Sequence, residues 1–127
     1  LFDTATRVGL AEDAGFVYTV DWSGQPVVPA RFHWVLAEAI AAAAVLYRRT
    51  GEPAYAERYV AWWDIARKFF IDEVEGSWWH ELDELGRPAA SVWPGKPDVY
   101  HAYQATLIPL QAPAGSLAGA LAIPPPL

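Results

Sequence analysis

One turn pattern occurs twice in this chain, and the repetition constrains the fold more than any other feature. Asp-x-x-Gly-x-Pro is found at Asp21, Gly24 and Pro26 and again at Asp83, Gly86 and Pro88, an offset of 83 − 21 = 62 residues. The surroundings repeat as well. Residues 15–38 read GFVYTVDWSGQPVVPARFHWVLAE and residues 76–104 read GSWWHELDELGRPAASVWPGKPDVYHAYQ. Each stretch reads as a short two-stranded hairpin followed by the start of a helix, so each copy aims polar residues from a helix start at roughly the same place. A unit repeated at such a period cannot bury its own apolar face and needs stacked neighbours. The expectation is a mainly α chain of helical hairpins separated by small β-hairpins. Many such units make a solenoid or a closed toroid; two cannot close one, which makes residues 1–127 a piece of something larger.

The elements follow in order. Residues 1–10 carry Phe2, Ala5 and Val8 at helical spacing, with Gly9 as a stop. Phe16 to Val20 is rich in β-branched and aromatic residues and reads as a strand, Asp21 to Gln25 as the turn and Pro26 to Val28 as the return. Arg31 to Arg49 is the clearest helix, with Trp34, Glu38, Ala41 and Val45 on one face and Gly51 ending it. Pro53 opens a second helix carrying Tyr55, Tyr59, Trp62, Ala66 and Phe69 on one side, so the two form an antiparallel pair. The second hairpin is expected over Ser77 to Leu82 and Pro88 to Trp93. Asp98 is placed as N-cap of a helix from Val99 to about Gln111, Ser116 caps a last short helix to Ala122, and Pro124 to Pro126 end the chain.

Composition removes several classes of function. A net charge of −6 argues against nucleic acid, which asks for a basic patch. The longest apolar run, Ala39 to Tyr47, falls short of the roughly 18 residues that span a bilayer and ends at Arg48 and Arg49. The absence of cysteine excludes disulfides and thiolate metal sites and fits a cytoplasmic protein. Seven Trp in 127 residues imply a large core or a stacking cleft for sugars. The chain begins with Leu1, so the lack of a visible signal peptide carries little weight.

Three residues stand out for chemistry. His101 falls in the first turn of a helix after the loop Pro94-Gly95-Lys96-Pro97, among Trp93, Tyr100 and Tyr103. A helix start tends to depress an imidazole pKa, which suits a group that takes and returns a proton near neutral pH. A hydrogen-bonded boundary histidine is the structural alternative. Glu38 is a carboxylate on an apolar stripe, where burial demands either a ligand or an ion pair with a residue such as Arg31. Trp34, one turn earlier on the same face, can stack on a sugar ring or pack. His33, about 140° round an ideal helix from Glu38, and His80, mid-strand between Trp79 and Glu81, read as structural. Metal-ligand spacing and phosphate-binding or nucleophile-elbow motifs are absent from the sequence.

RFHWVLAEAIAAAAVLYRRTGE, WWD, GSWWHELD, GKPDVYHAYQATLIPL and SLAGALA together resemble the N-acylglucosamine 2-epimerase family, in particular its mannose isomerase and aldose–ketose isomerase branch. The likeness runs from Leu1 to about Ala122, and GSWWHELD and KPDVYHAYQAT are its most specific parts. The resemblance implies an (α/α)6 barrel of which this chain supplies the C-terminal third, the first two-thirds being absent. It implies a monosaccharide substrate, proton transfer at C2 through an enediol, two histidines as acid and base, and neither cofactor nor metal. By the same likeness His101 is one of that pair, Glu38 lines the cleft and Trp34 flanks the sugar. The partner histidine belongs to a Gly-His-x-x-Glu-Trp type motif, which this chain lacks. A barrel third also implies exposed apolar helix faces and self-association. Two other readings stay open. One is a glycoside hydrolase or lyase on the same toroid, which needs two carboxylates such as Glu38 and Asp98. The other is a non-catalytic carbohydrate-binding remnant.

Overall fold

The computed structural model describes residues 1–11 and 14–122. Helix α1 (Phe2–Gly9) leads into strand β1 (Leu10–Ala11), which pairs antiparallel with β2 (Gly15–Phe16). Strands β3 (Thr19–Val20) and β4 (Pro26–Val28) form the first hairpin. Strand β5 (Arg31–Phe32) runs straight into helix α2 (His33–Thr50), and α3 (Pro53–Ile65) follows, widening at its end into a π-helical turn over Ala66–Phe70. The second hairpin, β6 (Glu81–Leu82) and β7 (Pro88–Ala89), adds to β5 in a three-stranded sheet of order β5-β6-β7. Helix α4 (Tyr100–Leu107) passes into a 3-10 turn over Ile108–Leu110, and α5 (Leu117–Leu121) comes last. The chain is mainly helical, as expected. Pro124 to Pro126 lie outside the described residues.

The repeated turn is repeated down to its hydrogen bonds. Asp21 Oδ1 accepts from the N–H groups of Ser23 and Gln25 at 2.8 and 2.9 Å, and Gly24 N–H donates back to the Asp21 carbonyl. Asp83 Oδ1 accepts from Leu85 and Arg87, both at 2.9 Å, and Gly86 N–H donates to the Asp83 carbonyl. Both glycines have positive φ, +83° at Gly24 and +74° at Gly86, a conformation that a side chain resists. Pro26 and Pro88 each open the return strand. The same hydrogen bonds hold the carboxyls of Asp21 and Asp83 below the ordinary carboxylate range: the Ser23 hydroxyl is the largest influence at Asp21, and the Arg87 N–H at Asp83.

Helix α2 is the centre of packing, with α3 and α4 laid against it. Its buried residues are His33, Leu36, Ala37, Ile40, Ala41, Ala43 and Ala44. Small alanines let the neighbouring helices approach closely. Leu36 and Ile40 meet Phe16, Trp62, Phe70, Trp78 and Leu82 in one apolar core. Burying each large aliphatic side chain of this kind stabilises the fold by about 2 kcal/mol. Gly51, at φ +71°, ends α2 by donating its N–H to the Tyr47 carbonyl. Arg48 crosses to the end of α4, where it donates to the carbonyls of Pro109 (2.8 Å) and Gln111.

Several sequence expectations shift. The strand expected over Phe16–Val20 is split into β2 and β3, each with its own partner. Arg31 and Phe32, expected to start the helix, are strand residues because Leu82 and Glu81 pair with them across the sheet. The long second hairpin shrinks to two residues on each side. Trp78 and Trp79 are taken by Ile71 and Phe70, and the chain leaves the sheet after Ala89. Helix α4 stops at Leu107, since Pro109 lacks an N–H to continue it. The apolar stripe of Trp34, Glu38, Ala41 and Val45 is not the buried face: Glu38 is exposed, Trp34 and Val45 are partly so, and only Ala41 is buried. The α3 stripe agrees better, with Trp62 and Ala66 buried and Tyr55, Tyr59 and Phe69 half-buried.

Candidate active site

The junction of β5 with α2, the first turn of α4 and the loop before it meet around a cleft of roughly 350 Å³. His33, Trp34, His80, Trp93, Pro97, Asp98 and His101 line it. That size falls in the range of small-molecule sites, about 300–1,000 Å³. The continuous passage from strand to helix at Phe32–His33 puts two consecutive side chains, His33 and Trp34, at the mouth of α2. The helix start that follows the second hairpin, that of α4, comes to the same place.

His101 and Glu38 are the pair that defines the site. His101 Nδ1 lies 2.8 Å from Glu38 Oε1. A carboxylate oxygen only accepts, so Nδ1 carries the proton and Nε2 of the neutral ring keeps its lone pair. The indole of Trp34 lies 5.9 Å from the His101 ring, tilted by 38°, and Tyr100 meets that ring edge-on at 4.7 Å. Asp98 Oδ1 accepts from the Tyr100 N–H at 2.9 Å. It therefore stabilises the start of α4 as expected, although Val99 is the residue at the cap.

Two other histidines come to the same cleft. His33 is 2% exposed, and both its backbone N–H (3.2 Å) and its Nδ1 (3.3 Å) are directed at the His80 carbonyl. A carbonyl accepts, so Nδ1 is the protonated nitrogen and Nε2, buried without a hydrogen-bond partner among the described residues, is a bare lone pair. Burial is the chief reason the His33 pKa falls to about 4, so the ring is neutral at pH 7. Its ring centroid is 5.0 Å from that of His80 and 6.1 Å from that of His101. His80 in turn stacks on Trp93 at 5.0 Å and 16°.

The loop between β7 and α4 is tied down at two points. Lys96 Nζ is 2.5 Å from Asp72 Oδ2 and 3.6 Å above the Trp79 ring. Asp72 Oδ1 accepts from the N–H groups of Val74 and Glu75. Lys96 first, then those N–H groups, hold the Asp72 carboxyl below its ordinary range. Nearer β7, Glu81 accepts from the Ser91 hydroxyl and the Val92 N–H.

The structure thus brings His101, Glu38 and Trp34 together, the three residues singled out from the sequence. Glu38 is half exposed rather than buried, reaching His101 from a separate depression that it lines with Ala41 and Val45. Arg31, weighed as its ion-pair partner, sits in β5 and donates to the Asp83 carbonyl at 3.0 Å. His33 and His80, read from the sequence as structural, share the cleft with His101. The one available signal was the density of Trp, His and acidic residues in GSWWHELD, since nothing local in the sequence reveals that His33 and His80 meet across the sheet.

Known proteins share this arrangement of elements. Residues 1–105 match the profile of N-acylglucosamine 2-epimerase (GlcNAc 2-epimerase). A D-mannose isomerase of Thermobifida fusca is 56% identical over 125 residues, covering 96% of this chain and 31% of that protein. A D-mannose isomerase of Pseudomonas cannabina pv. alisalensis is 52% identical over 124 residues, 96% of this chain and 30% of that protein. A crystal structure of D-mannose isomerase superposes with a TM-score of 0.78 at 29% identity, over 86% of this chain and 28% of that chain. A sugar epimerase from a ruminal bacterium, at a TM-score of 0.58 and 20% identity, shares the fold. The chain spans about a third of the length of the curated relatives it matches best among these, 31% and 30%. With the profile covering most of its length and more than half of its residues shared with the first of these relatives, the chain belongs to the N-acylglucosamine 2-epimerase family.

Proposed function

We propose that this chain is the C-terminal third of an (α/α)6-barrel sugar isomerase or 2-epimerase, acting on a monosaccharide such as D-mannose. The observation that carries this reading is His101, which lines the cleft with Trp34 and is held 2.8 Å from Glu38. Glu38 fixes the ring so that Nε2 is the working atom. His101 Nε2 removes the proton from C2 of the open-chain aldose. The electron pair forms the C1=C2 bond of an enediol while the carbonyl oxygen at C1 is protonated. Return of a proton to C1, with loss of the C2 hydroxyl proton, gives the ketose; return to the opposite face of C2 gives the epimer. We take the second acid/base group and further sugar contacts to come from the remaining length of a protein the size of its relatives.

Proton transfer is favoured over glycoside hydrolysis because Glu38 is engaged by His101 instead of standing free opposite a second carboxylate. Exposed apolar residues around α4, Val99 at 74% and Tyr103 at 61%, support contact with the rest of a barrel or, in isolation, self-association. The lack of cysteine supports a cytoplasmic setting. The test is proton NMR of D-mannose in deuterated water, with the chain alone and fused behind the N-terminal two-thirds of the Thermobifida fusca relative. Loss of the C2 proton signal and appearance of fructose, both abolished by His101→Ala, are expected from the fusion. Turnover that survives His101→Ala would overturn the assignment of His101, and a silent fusion would overturn the choice of D-mannose as substrate.

A further inference from the structure

Glu81 is 1% exposed, and its backbone belongs to β6, the middle strand of the three-stranded sheet, between Phe32 and Ala89. From this fixed position its carboxylate reaches the turn after β7, accepting from the Ser91 hydroxyl and from the Val92 N–H at 2.9 Å. Burial pushes a carboxyl up, but here the Ser91 hydroxyl and the N–H groups of Val92, Trp93 and Ser91 outweigh it and hold Glu81 below its ordinary range. A buried ionised carboxylate is costly unless its hydrogen bonds are made, so the turn is bound to take the shape that makes them. That turn ends on Trp93, whose ring stacks on His80 and meets Phe32 edge-on at 5.2 Å.

We propose that Glu81 is a positioning residue of the cleft: its carboxylate sets the 91–93 turn so that Trp93 lies against His80 as one wall of the site that His101 and Trp34 also line. The use of that wall for a sugar rests on the function proposed above. A pre-set indole offers apolar surface to the C–H groups of a sugar without being ordered at the moment of binding. Trp93 itself is 42% exposed.

The test separates the positioning from the chemistry. The chain contains three histidines, so the ring protons of His80 are assignable by NMR through histidine substitution. In the native 127-residue chain, stacking on Trp93 displaces them upfield. Glu81→Gln replaces one accepting oxygen by an NH2 that meets the N–H donors, and the upfield displacement of His80 should be lost while the circular dichroism stays native. Unchanged His80 signals would overturn the proposal. If Glu81→Gln fails to fold, Ser91→Ala decides: a reduced displacement supports the proposal, and an unaltered one overturns it. In the active fusion, Glu81→Gln should raise KM about tenfold with kcat within about twofold, as expected for an effect on binding alone. An equal fall in kcat at unchanged KM would overturn the positioning role. If the native fusion acts on no sugar, the function reading fails while the His80 result still stands or falls by itself.

Discussion

His101 Nδ1 and Glu38 Oε1 lie 2.8 Å apart across 63 residues of sequence, joining the first turn of α4 to the middle of α2. Glu38 is 50% and His101 30% exposed, so the pair adds less than about 1 kcal/mol to stability. Its value lies in the tautomer it selects. Glu38→Gln should therefore unfold within about 1 kcal/mol of the native chain in urea. In the active fusion the same change should lower kcat by about a hundredfold or more, because an amide can donate to Nδ1 and leave the proton on Nε2, the wrong nitrogen for a base. Native-like turnover in Glu38→Gln would remove Glu38 from the mechanism.

Acid sensitivity should begin well above the usual carboxylate range, and His33 is the reason. Its folded pKa is about 4 against 6.5 for a free imidazole: burial is the main cause, the hydrogen bond to the His80 carbonyl opposes it, and the charges of the His80 and His101 rings lower it further. Asp98 acts the other way, and more weakly. Between these values the unfolded chain binds a proton that the folded chain refuses, so stability is intact above pH 6.5 and falls as pH drops toward 4. The full loss is about 3 kcal/mol, reached near pH 4. Asp21, Asp72, Glu81 and Asp83, all held below their ordinary range, add losses only as pH falls further, through their folded pKa values. Urea unfolding of the native chain and of His33→Gln at pH 7 and pH 5 should show a smaller drop in the variant. Equal drops in the two proteins would place the acid sensitivity elsewhere.

Lys96 should matter to the loop before it matters to the fold. It joins the loop ahead of α4 to Asp72 and covers the Trp79 ring; neither Lys96 nor Asp72 belongs to the core cluster around Leu36 and Ile40, which Trp79, only partly buried, packs against. Lys96→Met keeps the apolar stem and removes the charge. Amide exchange over residues 94–99 should quicken severalfold while exchange in α2 stays unchanged, because local opening of a loop is decoupled from global unfolding. Faster exchange in both regions alike would make Lys96 a general stabiliser instead.

How far the sequence could be read follows from which interactions are local. The turn pattern at Asp21 and Asp83 is self-contained within five residues, so the turn and its repetition were legible from residue types alone. The same is true of the Gly51 stop and the Pro53 start of α3. Arg31 and Phe32 were misplaced because their partners, Leu82 and Glu81, lie about fifty residues away in the sheet. Glu38 was singled out as a carboxylate that burial would force to find a partner, but it is half exposed. That the partner is His101 depends on how α4 packs on α2, which no local periodicity encodes. His33 and His80 were set aside for the same reason: their meeting is a property of the sheet, not of either segment.

The two copies of the turn offer a controlled comparison of backbone strain and crowding. Gly24 and Gly86 have nearly the same positive φ, +83° and +74°, so replacing either by alanine incurs a similar conformational cost of about 1 kcal/mol. Their surroundings differ. A Cβ on Gly24 would lie 3.7 Å from Val8, an ordinary contact, whereas one on Gly86 would lie 3.0 Å from the Ala14 Cβ and 3.3 Å from the Phe69 ring. Ala14 is fully buried, and its Cβ is fixed to the backbone, so it cannot yield without moving the chain. Overpacking of this kind adds about 1–3 kcal/mol. Gly86→Ala should thus be clearly less stable in urea than Gly24→Ala, and the double variant should show additive losses, since among the described residues the hydrogen bonds to the aspartate carboxylate of each turn stay within it. Equal losses at the two sites would mean that the strain of positive φ dominates and that the packing of the β6–β7 turn against Ala14 and Phe69 is loose enough to absorb a methyl group.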